Sequence, residues 1–300
     1  MVQNKRHKPQ GGRRRTAKKK KGDWLFVKLL GTVVIIFAVA FGIFRALGAW
    51  NAKDISMPEL FTTQEEQTLP ADFDGNGLLD VKAPESIDEQ FVIYKGFNVS
   101  FNTKHRIPNY VVYELTNTEV EGEEARAKSF RRDENVDNCP EPYDYTRSGY
   151  DRGHMAPAAD MKWDNEAMRE SFYMTNICPQ KHALNGGGWK RLEEKLRDWA
   201  MRDGALVIVT GPVMGDSMPT IGEGVAVPPG FFKVVLAPNA KPMRAIGFLY
   251  KNEGGQKVVE RQAVSVDSVE TVTGFDFFYN LPDDVENEIE KSSNYQLWNN

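Results

Sequence analysis

Residues Leu29 to Phe44 form an apolar run uninterrupted by charge, directly behind a basic arm that contains Arg13-Arg14-Arg15 and Lys18 to Lys21. Coiled as a helix at roughly 1.5 Å per residue, this run spans about 24 Å. That is slightly short of the ~30 Å hydrocarbon core of a bilayer. The flanks make up the difference, because Lys28 and Arg45 can snorkel and Trp24 and Trp50 suit the two interfaces. The pattern predicts a cytoplasmic arm over 1–22, a single transmembrane signal anchor over 23–50 (apolar from 25 to 47), and an exported remainder. In a bacterium that is a single-pass inner-membrane protein with a periplasmic body. A cleaved signal peptide ending near Ala46-Leu-Gly-Ala49, and hence secretion, is an alternative, and a basic, acid-poor start also fits an organelle import signal.

The arm explains the charge. The chain carries 38 Lys/Arg against 42 Asp/Glu, but residues 1–50 hold twelve of the bases and a single acid, Asp23. The remaining 250 residues therefore hold 26 bases and 41 acids, a net of −15. Such a body does not draw polyanions from a distance. Cys139 and Cys178 lie in it. Two cysteines match no zinc pattern, and an exported setting permits either a disulfide between them or two buried thiols.

Residues 51–88 read as a polar linker with Pro58, Pro70 and Pro84. Within it, Asp72-Phe-Asp74-Gly-Asn76-Gly77 opens like a calcium loop, but Ala83 stands where the closing Glu is needed, so a turn is expected. Strand signals follow at Phe91–Tyr94, Asn98–Phe101 and Tyr110–Leu115, then at Leu206–Thr210, Phe231–Leu236 and Ala245–Tyr250, where β-branched and aromatic residues dominate. Helical stretches are expected over about 166–172 and 184–201. Strands segregated around central helices indicate α+β architecture. On the second helix, Trp189, Leu192, Leu196 and Trp199 share one stripe, the core face. Glu193 lies at its edge with Arg197 one turn on, while Glu194 points to solvent. Asn185 precedes Gly186-Gly-Gly188 at the helix start.

Among side chains suited to proton transfer, histidine is scarce. His7 lies in the arm, leaving His105, His154 and His182. His154 sits in Tyr150-Asp-Arg-Gly-His-Met-Ala-Pro157, beside a cationic Arg152 and a Gly153 that lets backbone approach a ligand closely.

Ser148-Gly-Tyr-Asp-Arg-Gly-His154 resembles the signature of the DNA/RNA non-specific endonucleases, a family that includes secreted bacterial nucleases and mitochondrial endonuclease G. The similarity extends in order through Phe130-Arg-Arg-Asp133, Phe172-Tyr-Met-Thr-Asn176, Pro179-Gln180 and Asn185-x3-Trp189-x3-Glu193-x3-Arg197. Thr210-Gly-Pro212, Val227-Pro-Pro-Gly-Phe-Phe232 and Glu270-x2-Thr-Gly-Phe275 complete it, so residues 89–285 are expected to be the endonuclease domain and 286–300 a tail. The resemblance implies a ββα-metal (His-Me finger) site on a central antiparallel sheet. It implies His154 as general base, Asn185 as the direct ligand of one Mg²⁺ (or Mn²⁺ or another divalent cation), and Glu193 reaching that ion through water. Arg152, Arg197 and Arg131 are implied at the phosphate and Asn176 as a substrate-side, site-shaping residue. The products would carry 5′-phosphates.

Charge resolved locally agrees with a polyanionic substrate. Residues 126–202 hold 14 bases and 13 acids, against 12 and 28 in the rest of the exported part. No motif for reading base edges is present, so DNA and RNA are expected to be bound by their backbones. A homodimer is compatible with the sequence, and no small-molecule cofactor is expected. The competing readings are a non-catalytic nucleic-acid binder on the same fold and an envelope structural protein.

Overall fold

In the computed structural model, residues 77–299 are described, and the expected arm, anchor and most of the linker lie outside them. Among the described residues no helix is long and apolar enough to cross a membrane.

In chain order the strands are β1 (Val81–Lys82), β2 (Gln90–Ile93), β3 (Asn98–Asn102), β4 (Ile107–Thr116), β5 (Asp151–His154), β6 (Ile177–Gln180), β7 (Ala205–Val213), β8 (Thr220–Ile221), β9 (Val225–Ala226), β10 (Gly230–Ala237), β11 (Arg244–Lys251), β12 (Ala263–Val264) and β13 (Asp276–Phe277). The helices are α1 (Asn117–Val120), α2 (Asn165–Glu170), α3 (Lys190–Asp203), α4 (Val266–Thr273) and α5 (Asp283–Glu290). Seven strands form one sheet in the order β12-β11-β10-β7-β4-β3-β2, and every pairing in it is antiparallel. The mixed fold with a central antiparallel sheet is therefore as expected.

The sheet is covered on both faces, which explains why its middle strands are apolar throughout rather than alternating. In β7, Leu206 and Ile208 pack with Trp189, Leu192 and Leu196 on one face. Val207 and Val209 pack with Val266, Val269, Val285 and Ile289 on the other. Buried on both sides, such strands carry no period-two signal.

The domain reaches beyond 89–285 at both ends. β1 pairs with β13, Val81 opposite Phe277, so the expected linker already contributes a strand. The expected tail is also built in: Trp298 is 1% exposed and packs its ring 4.8 Å from that of Trp199. Cys139 and Cys178 are both buried free thiols, which settles the disulfide alternative against a bridge.

Phe248 on β11 stacks on Trp199 and meets Tyr295 edge-on beneath this C-terminal segment. Truncating it to alanine leaves a cavity that a close-packed core cannot refill, at a cost of roughly 3–5 kcal/mol. Phe248→Ala is expected to lower the unfolding free energy from urea titration by that amount, whereas Leu297→Ala, half-exposed, should change it little.

Candidate active site

The motif-bearing histidine stands on a small structure apart from the main sheet. β5 and β6 pair only with each other, His154 opposite Ile177 and Asp151 opposite Gln180. The chain then turns through residues Leu184–Trp189 into α3. Two short strands are thus followed by a helix whose leading turn touches them through Asn185 and Trp189, the ββα order that the resemblance implies. Gly153 is needed for this ladder: a Cβ there would lie 2.1 Å from Gln180 Oε1. The missing side chain makes room for that of Gln180. Beyond His154 the chain is clasped by Asn176. Its Oδ1 accepts from Ala156 N at 2.9 Å, and its Nδ2 donates to Ala156 O at 2.8 Å and Ser171 O at 2.9 Å. Asn176 is wholly buried. The expectation that it meets substrate is therefore corrected; its amide is spent on backbone and fixes the direction in which the chain leaves the histidine.

The His154 imidazole is 8% exposed and lies between two aromatic rings, 4.9 Å from Phe172 and 5.3 Å from Phe130. Its Nε2 is buried and has no hydrogen-bond partner. Burial first, and the Arg126 charge second, push its pKa down to about 3. The ring is therefore neutral at ordinary pH and has an unengaged nitrogen, the state a proton acceptor requires.

Three residues N-terminal to it on the same strand, Asp151 Oδ2 accepts from Asn185 Nδ2 and from His182 Nδ1, each at 2.9 Å. An ionised carboxylate can only accept, so it holds the nitrogen end of the Asn185 amide and leaves Oδ1, a hard oxygen donor, facing away. Across the ladder, Gln180 is fully buried with neither Oε1 nor Nε2 partnered. Buried orphan polar groups are costly. Their occurrence around Asn185 and His154 fits a hydrated divalent cation and a phosphate better than it fits a closed core.

Beneath the site lies a buried ionic layer. Lys233, with no exposure, donates from Nζ to Met155 O and Thr210 Oγ1 at 3.1 Å each and lies 4.5 Å from the Trp189 ring centre. Desolvation raises the Glu193 carboxyl above its usual range, and the Lys233 ammonium pulls it back most strongly. Arg197 Nη1 pairs with the buried Asp160 at 2.8 Å, and Tyr113 donates to the other Asp160 oxygen at 2.9 Å. On α3, Glu193 is partly buried while Glu194 is exposed, as the helix stripe predicted.

The arginines divide differently from expectation. Arg152 is held by the Pro142 carbonyl and lies between the rings of Phe130, at 5.5 Å, and Tyr145, at 5.7 Å, so it lines the histidine's surroundings. Arg197 already has a carboxylate partner. Arg131 stacks on Tyr173 at 4.4 Å and donates to Arg169 O at 3.4 Å. The cation that acts on both His154 and Glu193 is Arg126, exposed and stacked on Phe172 at 5.0 Å. Sequence reading missed Arg126, Asp151, Asp160 and Lys233 as site residues. Only Asp151 carried a signal, its place in the Asp-Arg-Gly-His tetrad.

Comparison with known proteins agrees with this geometry. Residues 74–284 match the family model described as DNA/RNA non-specific endonuclease. The chain is 32% identical over 267 residues to the mitochondrial nuclease EXOG of Danio rerio, covering 82% of this chain and 76% of that one. It is 32% identical over 238 residues to the mitochondrial nuclease 1 of Schizosaccharomyces pombe, covering 70% and 72%. A nuclease of Nostoc sp. is 30% identical over 216 residues, covering 68% and 78%. The human EXOG match spans 56% of that protein. Among solved structures, one described as the EndoG/EndoGI complex, concerning the mechanism of EndoG inhibition, superposes with a TM-score of 0.60 at 27% identity, over 65% of this chain and 87% of that one. The chain belongs to the DNA/RNA non-specific endonuclease family. It is a nuclease, an enzyme that cuts nucleic acid.

The depressed imidazole has a thermodynamic signature. Below about pH 6.5 an unfolded histidine takes up a proton that folded His154 refuses until near pH 3. Folded stability therefore falls with acidification across that window, by up to about 1.4 kcal/mol per pH unit. Buried carboxyls with raised pKa values, Glu193 among them, oppose this trend, so the slope is read as the difference between the native chain and His154→Asn in unfolding measured from pH 7 to 4.

Proposed function

We propose that this chain is a metal-dependent endonuclease that hydrolyses internal phosphodiester bonds of DNA and RNA without sequence preference, leaving 5′-phosphates. The reading is carried by one observation, the neutral, buried His154 whose Nε2 has no partner. In it, Nε2 takes a proton from an attacking water as that oxygen bonds to phosphorus. The bond from phosphorus to the 3′ oxygen breaks, and that oxygen acquires a proton as it leaves. The aromatic walls of Phe130 and Phe172 keep the imidazole unprotonated and ready to accept. Arg126 and Arg152 supply positive charge at the phosphate, Arg131 adds to it from its stack on Tyr173, and Arg197 does so from the ionic layer beneath.

The donor set suits a hard, well-hydrated divalent cation such as Mg²⁺: Asn185 Oδ1 as the direct ligand and Glu193 reached through water. Such a cation, when bound, offsets the charge developing on the phosphate. Asp151 keeps the Asn185 amide turned the right way, and Lys233 favours an ionised Glu193.

Residues 23–50 are proposed to anchor the enzyme, with 1–22 on the cytoplasmic side and 51–76 leading to the domain. The zebrafish and fission-yeast relatives are named as mitochondrial, which makes an import signal the competing reading of the same residues. Carbonate extraction of membranes separates the two: an anchored chain stays in the pellet at full length, and an imported one is shortened and released.

Plasmid degradation tests the chemistry. EDTA should abolish cutting, and His154→Ala, in protein whose circular dichroism shows it folded, should slow it by roughly 10²–10⁴-fold, the usual contribution of a general base. Cutting by His154→Ala at the native rate would remove the histidine from the mechanism.

A further inference from the structure

The active site does not account for every convergence of charged side chains. On the opposite face of the main sheet, one carboxylate oxygen from each of Asp267, Glu270 and Glu290 lies within 4.8 Å of the others. That this is the opposite face follows from packing: α4 and α5 bury Val266, Val269, Val285 and Ile289 against Val207 and Val209, whereas α3 covers Leu206 and Ile208. Asp267 and Glu270 stand three residues apart on α4, and Glu290 closes α5. Glu270 is fixed by accepting from Phe277 N at 2.8 Å.

Glu290 makes this more than a patch of surface acids. It is 4% exposed, and its buried Oε1 has no hydrogen-bond partner. Among the described residues no ion pair reaches any of the three, and the nearby Lys82 ammonium is engaged with Asp276 at 2.8 Å. Burial and then the Glu270, Glu286, Asp267 and Asp276 charges push the Glu290 carboxyl up to about 9. A buried carboxylate without a donor, facing two more carboxylates, needs a positive charge or a proton.

We propose that Asp267, Glu270 and Glu290 form a structural cation site for Ca²⁺, with water filling its remaining positions. All-oxygen carboxylate donors select a hard cation. Calcium binds oxygen at roughly 2.4 Å and tolerates irregular geometry, so oxygens as far as about 4.8 Å apart can share one ion. Magnesium, at about 2.0–2.1 Å and near-octahedral, fits such a spread only if the helices close in. The ion would bolt α4 to α5 and so secure the C-terminal part of the domain, away from the chemistry.

The test is calorimetric titration of Ca²⁺ into the purified, EDTA-stripped full chain carrying Asn185→Ala, which removes binding at the proposed catalytic ion. One calcium should bind, and excess calcium should raise the melting temperature. Adding Asp267→Asn, at an exposed position, or Glu290→Gln should weaken binding by at least about tenfold and cancel the rise. Absence of calcium binding, or binding that neither substitution weakens, overturns the proposal. So does a chain that Glu290→Gln stabilises while calcium has no effect, which would mark a carboxyl neutralised by a shared proton.

Discussion

The Asn176 amide, sealed from water and bonded to the backbone of Ala156 and Ser171, sets the path of the chain on either side of the histidine. β5 and β6 are four residues each and pair with nothing else, and an isolated two-stranded ribbon is marginal in water. Its persistence depends on buried contacts from outside the ladder. Asn176 supplies one and Lys233, reaching up from the main sheet to Met155 O, supplies another. The imidazole is thus held by its neighbours' backbone and not by a hydrogen bond of its own, which is why Nε2 stays unengaged.

Electrostatics and packing pull in opposite directions here, and the balance is functional. A core ammonium is expensive to desolvate, and breaking such an arrangement by removing one partner is costly. Lys233 is retained amid Glu193, Asp160 and Arg197, a cluster in which each charge limits the penalty of the next. Burial, which burdens Lys233, also keeps His154 neutral. Dry walls of Phe130 and Phe172 on one side and a compensated ionic layer on the other give an acceptor nitrogen and a carboxylate within one small unit.

Much of this was legible in the sequence, for reasons that differ by element. β4, β7, β10 and β11 are runs of Val, Ile, Phe and Tyr longer than any turn would tolerate, so their existence was plain. The ββ ribbon was not, because Asp-Arg-Gly-His and Ile-Cys-Pro-Gln contain glycine, proline and charge where strand propensity wants none; tertiary clasping overrides that preference. α4 was hidden too. Val-Asp-Ser-Val-Glu-Thr-Val-Thr is rich in β-branched residues, yet Ser265 caps it by accepting from Ser268 N and Gly274, left-handed at φ 76°, ends it. Glu193 could be chosen over Glu194 from helical geometry alone. Lys233 could not be found, since a lone lysine in a strand covered on both faces has no periodicity to betray it. Arg126 was equally silent, as only its stacking on Phe172 brings it to the histidine.

The two cysteines carry a consequence for where such a domain can live. Both thiols are buried, and burial holds each well above the range in which it would lose its proton. Thiolates are the reactive species in exchange and oxidation. The folded domain therefore contains no covalent cross-link to be reduced and offers no ready nucleophile to be oxidised. Glutathione-rich and oxidant-rich compartments are equivalent to it, so the redox state of its surroundings neither licenses nor forbids its fold.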